Sequence, residues 1–129
     1  MPHYMLLICN PTEGLSPAEA RAEMPKWMAY TQALSDEGAF VSADALQPIA
    51  TATTVRVRGD ERLVSDGPFA ETKEALAGYY VIDVADREAA LDWAARIPSA
   101  TRGSVEVRPV QVFDVEPAIA ERPGHRAAA

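Results

Sequence analysis

The chain has 129 residues, 48% of them hydrophobic, which is enough for one domain with a real core and too short for two. Its 12 Lys and Arg stand against 19 Asp and Glu, a formal charge of −7 that repels phosphate backbones and anionic membrane surfaces alike. Neither nucleic acid nor membrane is therefore expected as a partner, and no basic run interleaves with aromatics as a single-strand groove requires.

The opening run Met1 to Cys9 is apolar, but it has no basic flank, no small-residue cleavage site and too few apolar residues to span a bilayer. It reads as a strand from Tyr4 to Cys9, and the protein as cytoplasmic. Cys9 is the single cysteine, expected as a buried structural thiol of a reducing compartment. The two histidines, His3 and His125, form no cluster with metal-ligand spacing, so no metal is expected. No phosphate-cradling glycine loop, nucleotide fingerprint or nucleophile elbow occurs, and no cofactor is implied.

After a loop over 10–15, Ser16-Pro17-Ala18-Glu19 has the form of a capping box with proline at the tolerated first helical position. Pro25 then either kinks the helix or splits it. Beyond it Met24, Trp27, Met28, Thr31 and Leu34 follow helical spacing to about Glu37, and Gly38 supplies the left-handed stop. Phe40 to Leu46 reads as a strand. Thr53 to Arg58 and Arg62 to Asp66 read as a half-exposed hairpin around Gly59-Asp60-Glu61, with Val55 and Val57 on one side. Ala77 to Val84 is the strongest strand, placing Tyr80, Ile82 and Val84 opposite Tyr79, Val81 and Asp83. Asp86 caps a helix through Ile97, whose buried stripe is Ala90, Leu91, Ala94 and Ile97. Val105 to Val115 is the last strand, with a bulge or edge position at Pro109.

Strand, helix, strand, hairpin, strand, helix, strand is the split βαβ plan of an α+β ferredoxin-like sandwich, with two helices on one face of an antiparallel sheet and an inserted β-hairpin. The domain is expected over residues 1–115 and a flexible tail over 116–129. The face without helices is rich in Val, Leu and Tyr, so a homodimer is expected to cover it.

The segment Asp66-Gly67-Pro68-Phe69-Ala70-Glu71-Thr72-Lys73-Glu74 resembles the signature of the DGPF branch of the YCII-related family. Similarity extends through Tyr4 to Ile8, Leu46 to Arg56, Gly78 to Ile82, Trp93 to Pro98 and Gly103 to Pro109. The resemblance implies a ferredoxin-like fold of the dimeric α/β-barrel type, with a small-ligand cleft between sheet and helices. It also implies, for some members, lyase chemistry on small ring compounds, and gene neighbourhood with sigma factors of the extracytoplasmic-function type. The first-helix histidine proposed there as half of an acid/base pair falls, by its distance from Asp36-Glu37-Gly38, at Trp27. An indole does not exchange a proton at neutral pH, so Asp36 lacks that partner.

Asp66 to Phe69 is explained as a turn: Asp66 bonds its own backbone, Gly67 permits positive φ, Pro68 fixes an angle and Phe69 anchors the loop. Glu71, Thr72, Lys73 and Glu74 form an ordered polar set that a mere connection does not need. As ligand-facing groups, Lys73 suits charge pairing rather than Schiff-base chemistry, Glu71 or Glu74 supplies a carboxylate, Thr72 a hydroxyl and Tyr79 or Tyr80 a phenol. The ligand-binding candidates are thus Asp66, Phe69, Glu71, Thr72, Lys73, Glu74 and Tyr79, with Asp36, Asp66 and Lys73 the catalytic candidates. Three functions are expected in descending order: small-molecule binding in a cleft lined by this loop, a module partnering a sigma factor, and an acid/base lyase.

Overall fold

The computed structural model describes residues 1–67 and 73–113. In chain order its elements are β1 (His3–Pro11), α1 (Pro17–Asp36), β2 (Phe40–Ala45), a 3-10 turn (Ile49–Thr51), β3 (Thr53–Arg58), β4 (Glu61–Asp66), β5 (Glu74–Asp83), α2 (Arg87–Ala95) and β6 (Ser104–Pro109). The main sheet runs β2-β5-β1-β6 with antiparallel neighbours throughout, and β3 and β4 pair with each other as a separate hairpin. This is the α+β ferredoxin-like arrangement expected from the element order. The expected tail at 116–129 lies outside the described residues.

Register decides which side chains share a face. Leu6 lies opposite Tyr80 on one edge and Val107 on the other, and Tyr4 and Ile8 are placed likewise two residues away. Strand alternation sends this set toward the helices, where Leu6, Ile82 and Leu34 have no exposed surface. Tyr30 and Leu34 of α1 and Ala90 and Ala94 of α2 close that core. The other sheet face carries Met5, Leu7, Cys9, Tyr79 and Val81, all half-buried.

The capping box forms in full: Ser16 Oγ accepts from Glu19 N at 3.1 Å and Glu19 Oε1 accepts from Ser16 N at 3.0 Å. The backbone bond from Ser16 holds the Glu19 carboxyl below its ordinary range. Pro25 neither ends nor divides the helix; α1 is continuous from Pro17 to Asp36 with Pro25 inside it. Pro25 is solvent-exposed, so the carbonyl that loses its helical donor is on the side where water replaces it. The expected stripe is corrected in part, because Met24 and Met28 are 55% and 67% exposed while Tyr30 is buried. The inward face is Glu23, Trp27, Tyr30, Thr31 and Leu34. Gly38 takes φ +70 at the helix stop, as expected.

The hairpin turns on Gly59 and Asp60, with positive φ only at the first position, as a II′ turn requires. Its valines are more exposed than the polar residues between them, the reverse of the usual arrangement: Val57 is 63% exposed whereas Thr54 and Arg56 are half-buried. Strand β5 starts three residues before expectation, at Glu74, and α2 stops at Ala95. Asp86 caps α2 by accepting from Ala89 N at 2.9 Å. The last strand ends at Pro109 rather than continuing to Val115, since proline has no donor to extend the ladder; one further bond, Val110 N to His3 O, follows it. Cys9 is half-buried on the open sheet face, not fully buried as expected. Burial together with Glu106 and Glu74 pushes its thiol above the ordinary range, so it is a poor nucleophile.

Candidate functional site

Four small residues leave a gap between α1 and the sheet. Ala43 and Ala45 on β2 and Ala77 and Gly78 on β5 floor a cleft of about 400 Å³ roofed by Ala20, Met24 and Trp27. Farther along α1 the same layer is filled by Tyr30 and Leu34, so the opening lies at the N-terminal half of the helix. Gly78 is required there sterically. A Cβ on it would stand 2.7 Å from the Asp44 carbonyl oxygen, inside any tolerable contact.

Trp27 forms part of the wall with its ring nearly parallel to Tyr80, centroids 6.3 Å apart at 4°. Tyr80 is fixed from several sides: Tyr30 and Phe40 meet its ring edge-on, and its hydroxyl shares a 2.6 Å hydrogen bond with Thr31 Oγ1. The Tyr30 hydroxyl donates to the Trp93 carbonyl at 2.8 Å, and burial pushes its pKa far above the ordinary value, so it remains a neutral structural phenol.

One end of the cleft is polar. Glu23 Oε1 accepts both the Trp27 indole N–H at 2.8 Å and an N–H of Arg102 at 2.8 Å. Burial pushes the Glu23 carboxyl up, but the hydrogen bonds from Arg102 and Trp27 and the charges of Arg102 and Lys26 outweigh it, leaving the group below its ordinary range. Glu23 is therefore an ionised anchor, not a proton donor, at neutral pH.

Arg102 reaches this position from the turn between α2 and β6, where its N–H bonds to the Ser99 carbonyl at 3.1 Å. The turn presses against β1: a Cβ at Gly103 would lie 2.3 Å from the Cys9 carbonyl oxygen and 3.0 Å from Asn10 Oδ1. That close approach sets Arg102 beside Asn10. Both border the cleft, and both carry an atom shielded from solvent with no hydrogen-bond partner among the described residues, Arg102 Nε and Asn10 Oδ1. Past them the cleft continues into a recess of about 280 Å³ bordered by Thr12, Leu15, Leu46 and Ile49.

Of the residues singled out in the sequence, Tyr79 borders the cleft, with its hydroxyl bonded to Asp44 Oδ2 at 2.5 Å on the neighbouring strand. It is Tyr80, not Tyr79, that alternation turns toward α1. Asp36 is exposed at the opposite end of α1, about 20 Å along the axis from Glu23, and accepts from Gln32 Nε2 at 2.8 Å. Asp66 is exposed at the base of the hairpin opposite Thr53. Exposed Lys73 offers its backbone carbonyl to Thr12 N at 2.9 Å, and Glu74 accepts from Ser104 Oγ at 2.7 Å. Phe69, Glu71 and Thr72 lie outside the described residues. His3 pairs with Asp83 and does not border the cleft. Among the described residues no group of three or more His, Cys, Asp or Glu is placed to hold a metal ion, and no helix is long and apolar enough to cross a membrane.

Glu23, Arg102 and Asn10 were not candidates in the sequence. The i, i+4 spacing of Glu23 and Trp27 was a local signal, whereas nothing local joins Glu23 to Arg102, 79 residues away.

An antiparallel four-stranded sheet with both helices on one face defines a ferredoxin-like α+β domain. The family model for the YCII-related domain matches residues 3–114, and the chain belongs to that family. It is also similar to an uncharacterised protein of Rhizobium meliloti (strain 1021), 36% identical over 115 residues that span 83% of this chain and 91% of the relative.

Proposed function

We propose that this protein binds a small, largely apolar molecule in the cleft between α1 and the sheet. The observation that carries the reading is an apolar pocket of ligand size closing on a few convergent polar groups, Glu23, Arg102 and Asn10. The signature segment contributes indirectly: Gly67 N donates to Ala52 O and Lys73 O accepts from Thr12 N, and Thr12 borders the recess that continues the cleft. Binding is favoured over acid/base turnover, because Trp27 stands where a proton carrier is needed and Glu23 is held ionised by its ion pair. Ala45 is exposed at the cleft rim, so Ala45→Trp plugs the space without disturbing the core. A fragment library screened by saturation-transfer NMR is expected to give hits that Ala45→Trp abolishes at unchanged Tm. Hits that survive the plug contradict the reading.

A homodimer is supported by a different observation: Met5, Leu7 and Val81 are only half-buried on the face without helices, and Val55, Val57 and Val64 are exposed on the hairpin. Light scattering on the intact chain tests it. A Leu7→Glu variant is expected to run at half the mass of the native chain, and equal masses would argue against this face as the interface.

A further inference from the structure

We infer that the occupant of this cleft is an elongated, uncharged molecule: a compact head beneath α1 and an unbranched hydrocarbon arm that passes between Leu15 and Ala77, under Ala20, into the neighbouring recess. The inference rests on the cleft being a binding site and adds the shape and chemical class of its ligand.

The passage follows from how α1 begins. Ser16 is the N-cap and Glu19 the third helical residue, which puts Leu15 just before the cap and Ala20 at the fourth helical position. A helix start of this kind is often closed by two apolar side chains packing on each other from these two places. Here the second place holds only an alanine, and it is exposed. Leu15, Ala20 and, on β5, Ala77 each border both the cleft of about 400 Å³ and the recess of about 280 Å³, so the two spaces meet beside two side chains of a single methyl each.

The walls of the recess set the chemistry of the arm. Leu46, Pro48, Ile49 and Leu76 border it, and Leu46 and Leu76 are 51% and 46% exposed, apolar surface that an arm lying there would cover. Among the described residues its one charged neighbour is Arg102, which Glu23 already matches at 2.8 Å. An ionised arm would give up water for hydrocarbon without a countercharge of its own, whereas each methylene buried there strengthens binding about fourfold. A branched arm of the same carbon count is shorter and stops before the recess.

The test uses 4-pentylphenol, its compact isomer 4-tert-pentylphenol and phenol with the full chain, all uncharged at neutral pH. Affinities come from titration calorimetry. Isoleucine δ1-methyl resonances, assigned with Ile8→Val and Ile49→Val variants, report location, because Ile8 borders the cleft and not the recess and Ile49 the recess and not the cleft. Expected is binding of the linear isomer about tenfold tighter than the compact one, the scale of one to two further methylenes buried. The linear compound should move both methyls, and the other two that of Ile8 alone. In Ala20→Leu, which supplies the missing side chain at the helix start and closes the passage, the two isomers are expected to bind equally and the Ile49 methyl to stay still. Equal affinities of the isomers for the native chain, or an Ile49 methyl that stays still while Ile8 moves with 4-pentylphenol, would overturn the elongated ligand and leave the cleft reading standing; so would a linear advantage that survives Ala20→Leu. If no compound moves the Ile8 methyl at millimolar concentration, the cleft reading fails and takes this inference with it.

Discussion

Glu23 and Arg102 meet at 2.8 Å across the mouth of the cleft, joining the first helix to the turn before the last strand. Glu23 is 16% and Arg102 29% exposed, so removing either leaves a partly desolvated charge behind. Glu23→Gln is expected to destabilise the fold by about 1–3 kcal/mol at neutral pH. Because the folded carboxyl titrates below its ordinary value of 4.5, the contribution is complete above that value and is lost as pH falls through the lower, folded one. Melting curves should therefore show the Tm gap between native chain and Glu23→Gln narrowing as pH drops below 4.5; a gap that widens in acid would contradict the assignment.

Three glycines separate steric from conformational demands. Gly103→Ala sets a Cβ 2.3 Å from a β1 carbonyl, Gly78→Ala one 2.7 Å from a β2 carbonyl, and Gly38→Ala meets nothing within 4 Å but must hold φ +70. Denaturant melts should rank the losses Gly103 > Gly78, with about 1–3 kcal/mol for Gly78 from overpacking. Gly38 is expected to lose about 1–2 kcal/mol from the left-handed backbone alone. Gly78→Ala should also weaken any cleft ligand, whereas Gly38→Ala should not.

Tyr80 couples the cleft wall to the core through its hydroxyl bond to Thr31. Tyr80→Phe and Thr31→Val are each expected to cost about 0.5–1.5 kcal/mol, and the double variant less than their sum, since both remove one interaction. Full additivity in urea melts would show that the two hydroxyls act independently.

Fold was readable because its determinants are local. The capping box at Ser16, the stop at Gly38, the cap at Asp86 and the alternation of Tyr80, Ile82 and Val84 each act within a few residues, and each appears where expected. Pro25 leaves a kink or a split open in the sequence, and the continuous α1 excludes the split, because the side of a helix that faces solvent is set by packing and not by the sequence around it. The methionines misled for a related reason: Met24 and Met28 share helical spacing with Trp27, yet the cleft leaves the first at its edge and the second exposed. At the site, Trp27 and Tyr80 announced themselves by type. Arg102 and Asn10 did not, because their meeting depends on the β1–β6 register and the close approach at Gly103.

On the reading proposed above, the space beneath α1 is where this protein takes up a small molecule. The most direct measurement is an indole ¹⁵N–¹H spectrum of the chain, whose two tryptophans, Trp27 and Trp93, are assigned with a Trp93→Phe variant. Titration with a bound fragment is expected to shift the Trp27 resonance, which sits on the cleft wall, and to leave that of Trp93, on α2 beside Tyr30, in place. A fragment that binds while Trp27 stays still would place the site elsewhere and contradict the account.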